Sequence, residues 1–113
     1  KDENMRYQLG TGTLTDVAGM FDIQHTNGSV NAYVEGGPQP LFNGNPAQNI
    51  PLTYTFNGVT LTGTSQEVVG DTESNGGMRA EMRITAAKPG DGQTGLYTAN
   101  PVVVFDAIPR ITQ

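Results

Sequence analysis

Apolar and polar residues alternate with a period of two over much of this 113-residue chain, as expected for strands that bury one face. The clearest example is Met78–Ala86, where apolar or small residues at even positions alternate with Arg79, Glu81 and Arg83. The period of two predicts a half-exposed strand here, although Ala, Met, Arg and Glu are good helix formers. Met5, Tyr7 and Leu9 predict an opening strand in the same way. Gln66–Val69 predicts a short edge strand.

Two Asn-Gly dipeptides predict β-hairpins, because Asn-Gly suits a two-residue type I′ turn in which both residues have positive φ. The predicted hairpins are Phe21–Thr26 with Ser29–Glu35, and Pro51–Phe56 with Val59–Thr64.

A two-residue loop also fixes which residues face each other. In the first hairpin it predicts Phe21 opposite Val34, with Ile23 and His25 on the same face. In the second hairpin it pairs Phe56 with Val59 and Tyr54 with Leu61, with Leu52 on the same face.

The last predicted strand, Val102–Phe105, is apolar at every position. Such a strand is expected where both of its faces are covered. Only Ile108–Gln113 would remain to cover its flank after the strand and its immediate continuation. We therefore expect something outside this chain to cover one flank, since a bare apolar edge promotes aggregation. The alternative is an ordinary core strand in a complete sandwich.

The predicted strands recur about every 10–15 residues with no convincing amphipathic helix, and turn-rich segments separate them. The turn-rich segments are 36–46, 70–77 and 88–92. The expectation is one domain, residues 1–113, folded as an immunoglobulin-like antiparallel β-sandwich of six or seven strands. The pattern does not decide the order of the strands.

Composition excludes several classes of function. The net charge of −5 provides no basic surface for nucleic acid. No apolar run approaches the roughly 18 residues of a membrane-spanning helix. The absence of cysteine rules out disulfides, thiolate nucleophiles and zinc–thiolate sites.

The residues that could carry enzyme chemistry are few and scattered. His25 is the only histidine, for which we expect a structural role. Asp71–Gly76 resembles a calcium loop but has Met82 where the closing bidentate glutamate should stand, so a solvated turn is predicted. We expect a non-enzymatic protein without a metal or cofactor.

Two other functions are compatible with the composition. The four tyrosines together with loops 36–48 and 70–77 suggest a receptor- or glycan-binding module. The tyrosines are Tyr7, Tyr33, Tyr54 and Tyr97. A viral or phage surface β domain would have a similar cysteine-free, Gly- and Thr-rich composition.

The order of segments in the C-terminal third resembles that of a known family. After Met78–Ala86 come a Pro/Gly/Thr-rich turn over 89–95, the sequence Gly95-Leu96-Tyr97 and the valine-rich strand Val102–Phe105. This order resembles chaperone–usher pilins of the cysteine-free alpha (colonization-factor) and common-pilus types. The middle of the chain, with its Asn-Gly hairpin near Asn57, is similar too. The resemblance covers about 100 residues, from Met5 to Ala107.

The resemblance implies a structural subunit of an adhesive fimbria outside the cell. In such pilins the fold lacks its last strand, and a neighbouring subunit's N-terminal extension fills the groove by donor-strand exchange. A periplasmic chaperone occupies the groove first, and an outer-membrane usher assembles the fibre. The residues expected to line or support the groove are Val102, Val103, Val104 and Phe105, with Met5, Tyr7 and Leu9 as the opposite wall.

Only the polar residues Lys1–Asn4 precede the first predicted strand. The chain as given is therefore expected to accept a donor strand but not to provide one. This fits a subunit whose extension was removed, the pilin domain of a tip subunit, or a terminal subunit. Any signal peptide is expected to have been removed as well.

Overall fold

The computed structural model describes residues 7–8, 13–90 and 97–109. In chain order its elements are β1 (Tyr7–Gln8), β2 (Thr13–Leu14), β3 (Val17–Ile23), β4 (Gly28–Val34), a 3₁₀ turn (Pro46–Gln48), β5 (Leu52–Phe56), β6 (Val59–Thr60), β7 (Gln66–Val69), α1 (Asp71–Gly76), β8 (Met78–Ala86) and β9 (Val103–Pro109). The strands form a four-stranded sheet in the order β3-β8-β5-β6, a three-stranded sheet in the order β7-β4-β9, and a separate β1-β2 pair. All of these pairings are antiparallel.

The two larger sheets pack face to face as an immunoglobulin-like β-sandwich, which confirms the predicted fold class. The buried core includes residues of both sheets: Val30, Ala32, Val34, Tyr54, Phe56, Leu61, Val68, Val69 and Ala80. β4 shows why this sequence forms a sandwich strand. Its burial alternates strictly along Gly28–Val34, so every second side chain faces the opposite sheet.

The hairpin predicted at Asn57-Gly58 is confirmed. Asn57 has φ 52° and Gly58 has φ 79°, as a type I′ turn requires. Phe56 lies opposite Val59, and the Leu61 N–H donates a 2.8 Å hydrogen bond to the Tyr54 carbonyl. The Asn57 side chain also donates to the Val68 carbonyl at 2.7 Å, which ties the turn to β7.

The hairpin predicted at Asn27-Gly28 is wrong. β3 ends at Ile23 and pairs with β8, whereas β4 pairs with β7 and β9 in the other sheet. Phe21 therefore lies opposite Ala80 and not opposite Val34. Asn57 is the one non-glycine with positive φ among the described residues, so Asn27 does not adopt the type I′ conformation. The segment crosses between sheets because β8 offers β3 a seven-residue partner.

The strand predictions for the second half of the chain are largely confirmed. β8 spans Met78–Ala86 with Ala80 buried, and β7 spans Gln66–Val69 at an edge of its sheet. The last strand is displaced from the prediction, since it begins at Val103 and continues to Pro109. Pairing with the full length of β4 extends it beyond the apolar run.

The segment 70–77 contains a short helix instead of the predicted solvated turn. α1 covers Asp71–Gly76, and its Ser74 is fully buried. The Ser74 hydroxyl donates to the His25 carbonyl at 3.1 Å, and the His25 N–H donates to the Ser74 carbonyl at 3.0 Å. These contacts satisfy buried polar groups, and they fix the crossing between β3 and β4 against the helix.

Candidate functional site at the open edge of the sandwich

β9 is an edge strand along its whole length. Gly28–Val34 of β4 pairs with Val103–Pro109 on one side. On the other side of β9, no strand formed by the described residues is paired with it. An unpaired edge presents a row of hydrogen-bonding groups to which another strand can be added.

The hydrogen-bond alternation identifies the free groups on this edge. The Glu35 N–H donates to the Val102 carbonyl at 2.8 Å, which continues the β4–β9 register by one pair. Because bonded and non-bonded pairs alternate in antiparallel sheets, Val104 and Asp106 bond to β4. The main-chain groups of Phe105 and Ala107 then point away from β4, toward the open side.

The side chains of the same residues face the core. Val103, Phe105 and Ala107 lie opposite three buried β4 residues in the register. Those β4 residues are Val34, Ala32 and Val30. Phe105 is nevertheless 40% exposed, and Ala107 is exposed as well. Core-facing side chains remain exposed here because the sandwich is open along this edge.

The opposite wall of the opening is β3, which is the edge strand of the other sheet. Its Phe21 is 49% exposed, and its ring centroid lies 6.2 Å from that of the buried Phe56. Phe56 in turn contacts Phe105 edge-on, with centroids 5.0 Å apart. We call this opening the open groove, with β3 and β9 as its walls and Phe56 in its floor.

Four of the predicted groove residues lie at this edge. Val103 is half-buried and packs against the core, and Phe105 lines the groove. Val104 lies on the outer face, opposite Tyr33, and Val102 precedes β9 with 52% of its surface exposed.

The expected opposite wall is only partly described. Tyr7 lies in β1 opposite Leu14 of β2, whereas Met5 and Leu9 lie outside the described residues. The role of these three residues therefore stays a prediction.

Phe21 and Ala107 are groove residues that the sequence does not predict. The Asn27-Gly28 signal pairs Phe21 with Val34 in a hairpin, and Ala107 lies beyond the apolar run Val102–Phe105. The alternation of Val17, Gly19, Phe21 and Ile23 was a signal for a strand that begins earlier and ends before Thr26. The pairing partner of that strand is a long-range property that the pattern does not contain.

Charged groups cluster on the outer face of the four-stranded sheet, away from the groove. Arg83 contacts Asp16 at 2.8 Å and Glu81 at 3.0 Å. The hydrogen bonds from Arg83 are the main cause that lowers the pKa of Glu81, and they raise the pKa of Arg83. Arg79 and Asp22 form a second, more exposed pair at 3.1 Å. Exposed pairs of this kind contribute little to stability.

In the part of the chain that the structure describes, no group of three or more His, Asp or Glu residues is placed to hold a metal ion. His25 is half-buried after the end of β3 and does not share a strand face with Phe21. No helix in the described segments has the length and apolar character needed to cross a membrane.

A separate cleft of about 410 Å³ lies where loop 36–50 meets residues 98–100. Phe42 lies beside it and is 41% exposed. Of the tyrosines suggested for glycan binding, Tyr33, Tyr54 and Tyr97 do not line this cleft. Tyr54 is fully buried, and its hydroxyl donates to the Gln39 carbonyl at 2.7 Å. Burial raises the pKa of Tyr54. The Tyr97 hydroxyl donates to the Gln48 carbonyl at 2.9 Å.

The fold and the open groove define an immunoglobulin-like β-sandwich with an exposed sheet edge and an incompletely covered core. Residues 1–106 match the family model described as CS1 type fimbrial major subunit. The chain therefore belongs to the CS1 type fimbrial major subunit family and is a structural subunit of a fimbria. This confirms the resemblance to chaperone–usher pilins found in the sequence.

A search of curated proteins found no match to the chain. The family match favours the fimbrial hypothesis over the viral or phage alternative. Fimbrial structural subunits are in general not enzymes, and membership implies assembly with other pilin subunits at the cell surface.

Proposed function

We propose that this fimbrial subunit polymerises by donor-strand exchange, with the open groove as the acceptor site. The observation that carries the proposal is the exposure of Phe105 and Phe21, at 40% and 49%, on either side of the buried Phe56. A strand placed between β3 and β9 would cover both rings and pair with the free edge of β9.

Both parts of the interaction are supplied by one strand of alternating sequence. The outward main-chain groups of Phe105 and Ala107 provide backbone hydrogen bonds, which any extended peptide can accept or donate. The exposed core-facing side chains favour an incoming strand with an apolar residue at every second position. Each Å² of apolar surface buried by that strand contributes about 25 cal/mol to the free energy of binding. The incoming strand is the N-terminal extension of a neighbouring subunit. A periplasmic chaperone strand occupies the groove before delivery to the outer-membrane usher.

Thermal unfolding tests this function. A 13-residue peptide of alternating valine and threonine should raise the melting temperature by roughly 10 °C at a concentration near 100 times its Kd. A peptide of the same composition with the residues grouped in blocks should have little effect, because it cannot direct one apolar face into the groove. No shift with the alternating peptide would contradict the proposal.

Two matched variants distinguish peptide binding in the groove from non-specific binding along the edge of β9. Phe105→Thr and Ile108→Thr remove side chains of similar exposure, 40% and 38%, from opposite faces of β9. Phe105→Thr should reduce the shift caused by the peptide, because Phe105 lines the groove. Ile108→Thr should retain it, because by strand alternation Ile108 lies on the outer face. Equal loss in both variants would count against binding in the groove.

Binding of a receptor or glycan is a second candidate, supported by the exposed Phe42 ring beside the cleft at 98–100. Gln39, Thr98 and Asn100 line the same cleft, and an aromatic face with amide and hydroxyl groups is suited to sugars. A glycan array with the wild type and Phe42→Ala tests it. Retention of all glycan signals in the variant would exclude this cleft as the binding surface.

A further inference from the structure

Gly19 is the unusual residue in the wall of the open groove. It lies in the middle of β3, in a continuous seven-residue register with β8 that contains no bulge. Glycine in a strand interior reduces stability and often marks a bulge or a close approach of another group. Because no bulge is present, the glycine needs another reason.

Backbone conformation does not supply that reason. Gly19 is not among the described glycines with positive φ, so its backbone conformation is open to other residues. Crowding does not supply it either. A Cβ added at Gly19 would meet a single heavy atom within 4 Å, Phe21 Cε1 at 3.7 Å, which is an ordinary contact. A side chain with a Cβ, such as alanine, would therefore fit in the chain as it stands.

The position of Gly19 in the sheet shows where a side chain at this residue would lie. Gly19 pairs with Met82, and Met82 pairs with Phe56 on its other side, so the three residues form one row across the sheet. Gly19 is the outer end of that row and is exposed. The absent side chain thus leaves a gap beside Phe21 in the groove wall.

We infer that Gly19 determines the specificity of the groove by leaving room for one large apolar side chain of the incoming strand. This inference rests on the proposed strand-accepting function. The inserted side chain, of leucine size or larger, packs beside Phe21 and over the Phe56–Phe105 ring pair. A side chain at position 19 would occupy the same space, so the groove would then favour a small residue there.

A peptide scan tests the inference. In the alternating valine–threonine peptide, each valine is replaced in turn by leucine and by alanine, and the Kd is measured for every peptide. With the wild type, one position should favour leucine over alanine by about tenfold or more, since a single methylene in an apolar pocket already has an effect of this size. With Gly19→Val, that preference should be lost or reversed at the same position.

The matched control is Ala18→Val, which adds a valine to the same strand on its outer face, opposite Arg83. It should retain the wild-type preference for leucine. A Gly19→Val protein that keeps the preference would overturn the inference.

The stability of the free variant provides a second measurement. Gly19→Val should unfold at the same temperature as the wild type or a higher one, because valine favours strands and the added Cβ would meet only an ordinary contact with Phe21. A melting temperature lowered by several degrees would show that the chain itself already fills the gap, which would also overturn the inference. If no peptide bound the wild type, the proposed function would fail and the inference with it. If peptides bound without regard to residue size, only the inference would fail.

Discussion

One long edge of the sandwich is closed by the chain itself, and the other is open. At the edge formed by β6 and β7, the chain itself crosses from one sheet to the other. Leu61 and Val69 are each 1% exposed there, and the Val34 N–H donates to the Thr62 carbonyl at 2.8 Å. At the edge formed by β3 and β9, Phe21 and Phe105 remain about half exposed.

Both edges consist of similar apolar residues, so the difference lies in what covers them. A covalent crossing closes the first edge within one chain. The second edge has no such crossing among the described residues, and Phe21 and Phe105 stay partly exposed there. Under the proposed donor-strand exchange this asymmetry has a use, because an edge closed by its own chain would leave no place for a neighbour's strand.

The largest expected effect is at the closed edge. Leu61→Ala should lower the free energy of unfolding by about 2–5 kcal/mol, because it leaves a cavity in a closely packed core. Denaturant unfolding of the free subunit measures the loss. Val102→Ala, which truncates a side chain that is 52% exposed, should change the free energy by about 0.5 kcal/mol or less. Similar losses in both variants would contradict the comparison.

A smaller effect is expected at the open edge. Phe105→Ala should cost the free subunit about 1–2 kcal/mol, less than the 3–5 kcal/mol typical of a buried phenylalanine, because Phe105 is 40% exposed. With the alternating peptide bound, the same substitution should cost more, since the strand would cover the ring. An equal cost in the free and bound states would show that the peptide does not cover Phe105.

The turn that builds the closed edge should contribute about 1 kcal/mol. Gly58 has φ 79°, so Gly58→Ala forces a Cβ into the left-handed region. Gly76→Ala is the matched control. Its position has ordinary φ and open space around an added Cβ, and alanine favours the helix there. Thermal unfolding should show a loss for the first variant and none for the second.

The smallest effect is expected on the outer face, away from both edges. The folded-state pKa of Glu81 is lowered, chiefly by its hydrogen bond with Arg83. Its contribution to stability is therefore present above the unfolded pKa of 4.5 and is lost as the pH falls through the lower folded value. Glu81→Gln should be slightly less stable than the wild type at neutral pH and equal to it in strong acid.

Denaturant unfolding at both pH values and at low salt measures this difference, because salt screens exposed pairs. Glu35→Gln is the matched control, because it removes an exposed carboxylate that forms no ion pair within the described residues, and it should not reproduce the loss of stability at neutral pH and low salt. A difference for Glu81→Gln that grows in acid would contradict the assigned sign.

The sequence alone was sufficient where the information is local. The alternation over Met78–Ala86 requires one buried face, and any sheet that receives this strand will bury its even positions. The turn at Asn57-Gly58 is local as well, because its two left-handed residues set the length and register of the hairpin. The family resemblance also came from the order of such local segments.

Tertiary structure decided which of the two Asn-Gly dipeptides forms a hairpin turn. Asn27-Gly28 carries the same turn signal as Asn57-Gly58, yet it lies between two sheets, because β3 gains a seven-residue pairing with β8 that a hairpin with β4 would exclude. Pairing with β4 likewise extended the last strand to Pro109. These outcomes depend on competition between distant segments for the same partners, which no local pattern records.

The open groove likewise has some features that the sequence predicts and others that only the tertiary structure decides. The sequence alone shows that Val102–Phe105 is apolar at every position, and from this it predicts a cover from outside the chain. It did not determine that Phe21 forms the facing wall or that Gly19 leaves a gap in it. Both depend on sheet order and sheet packing, because only the packing of the two sheets brings Phe21 and Phe105 to the same buried Phe56.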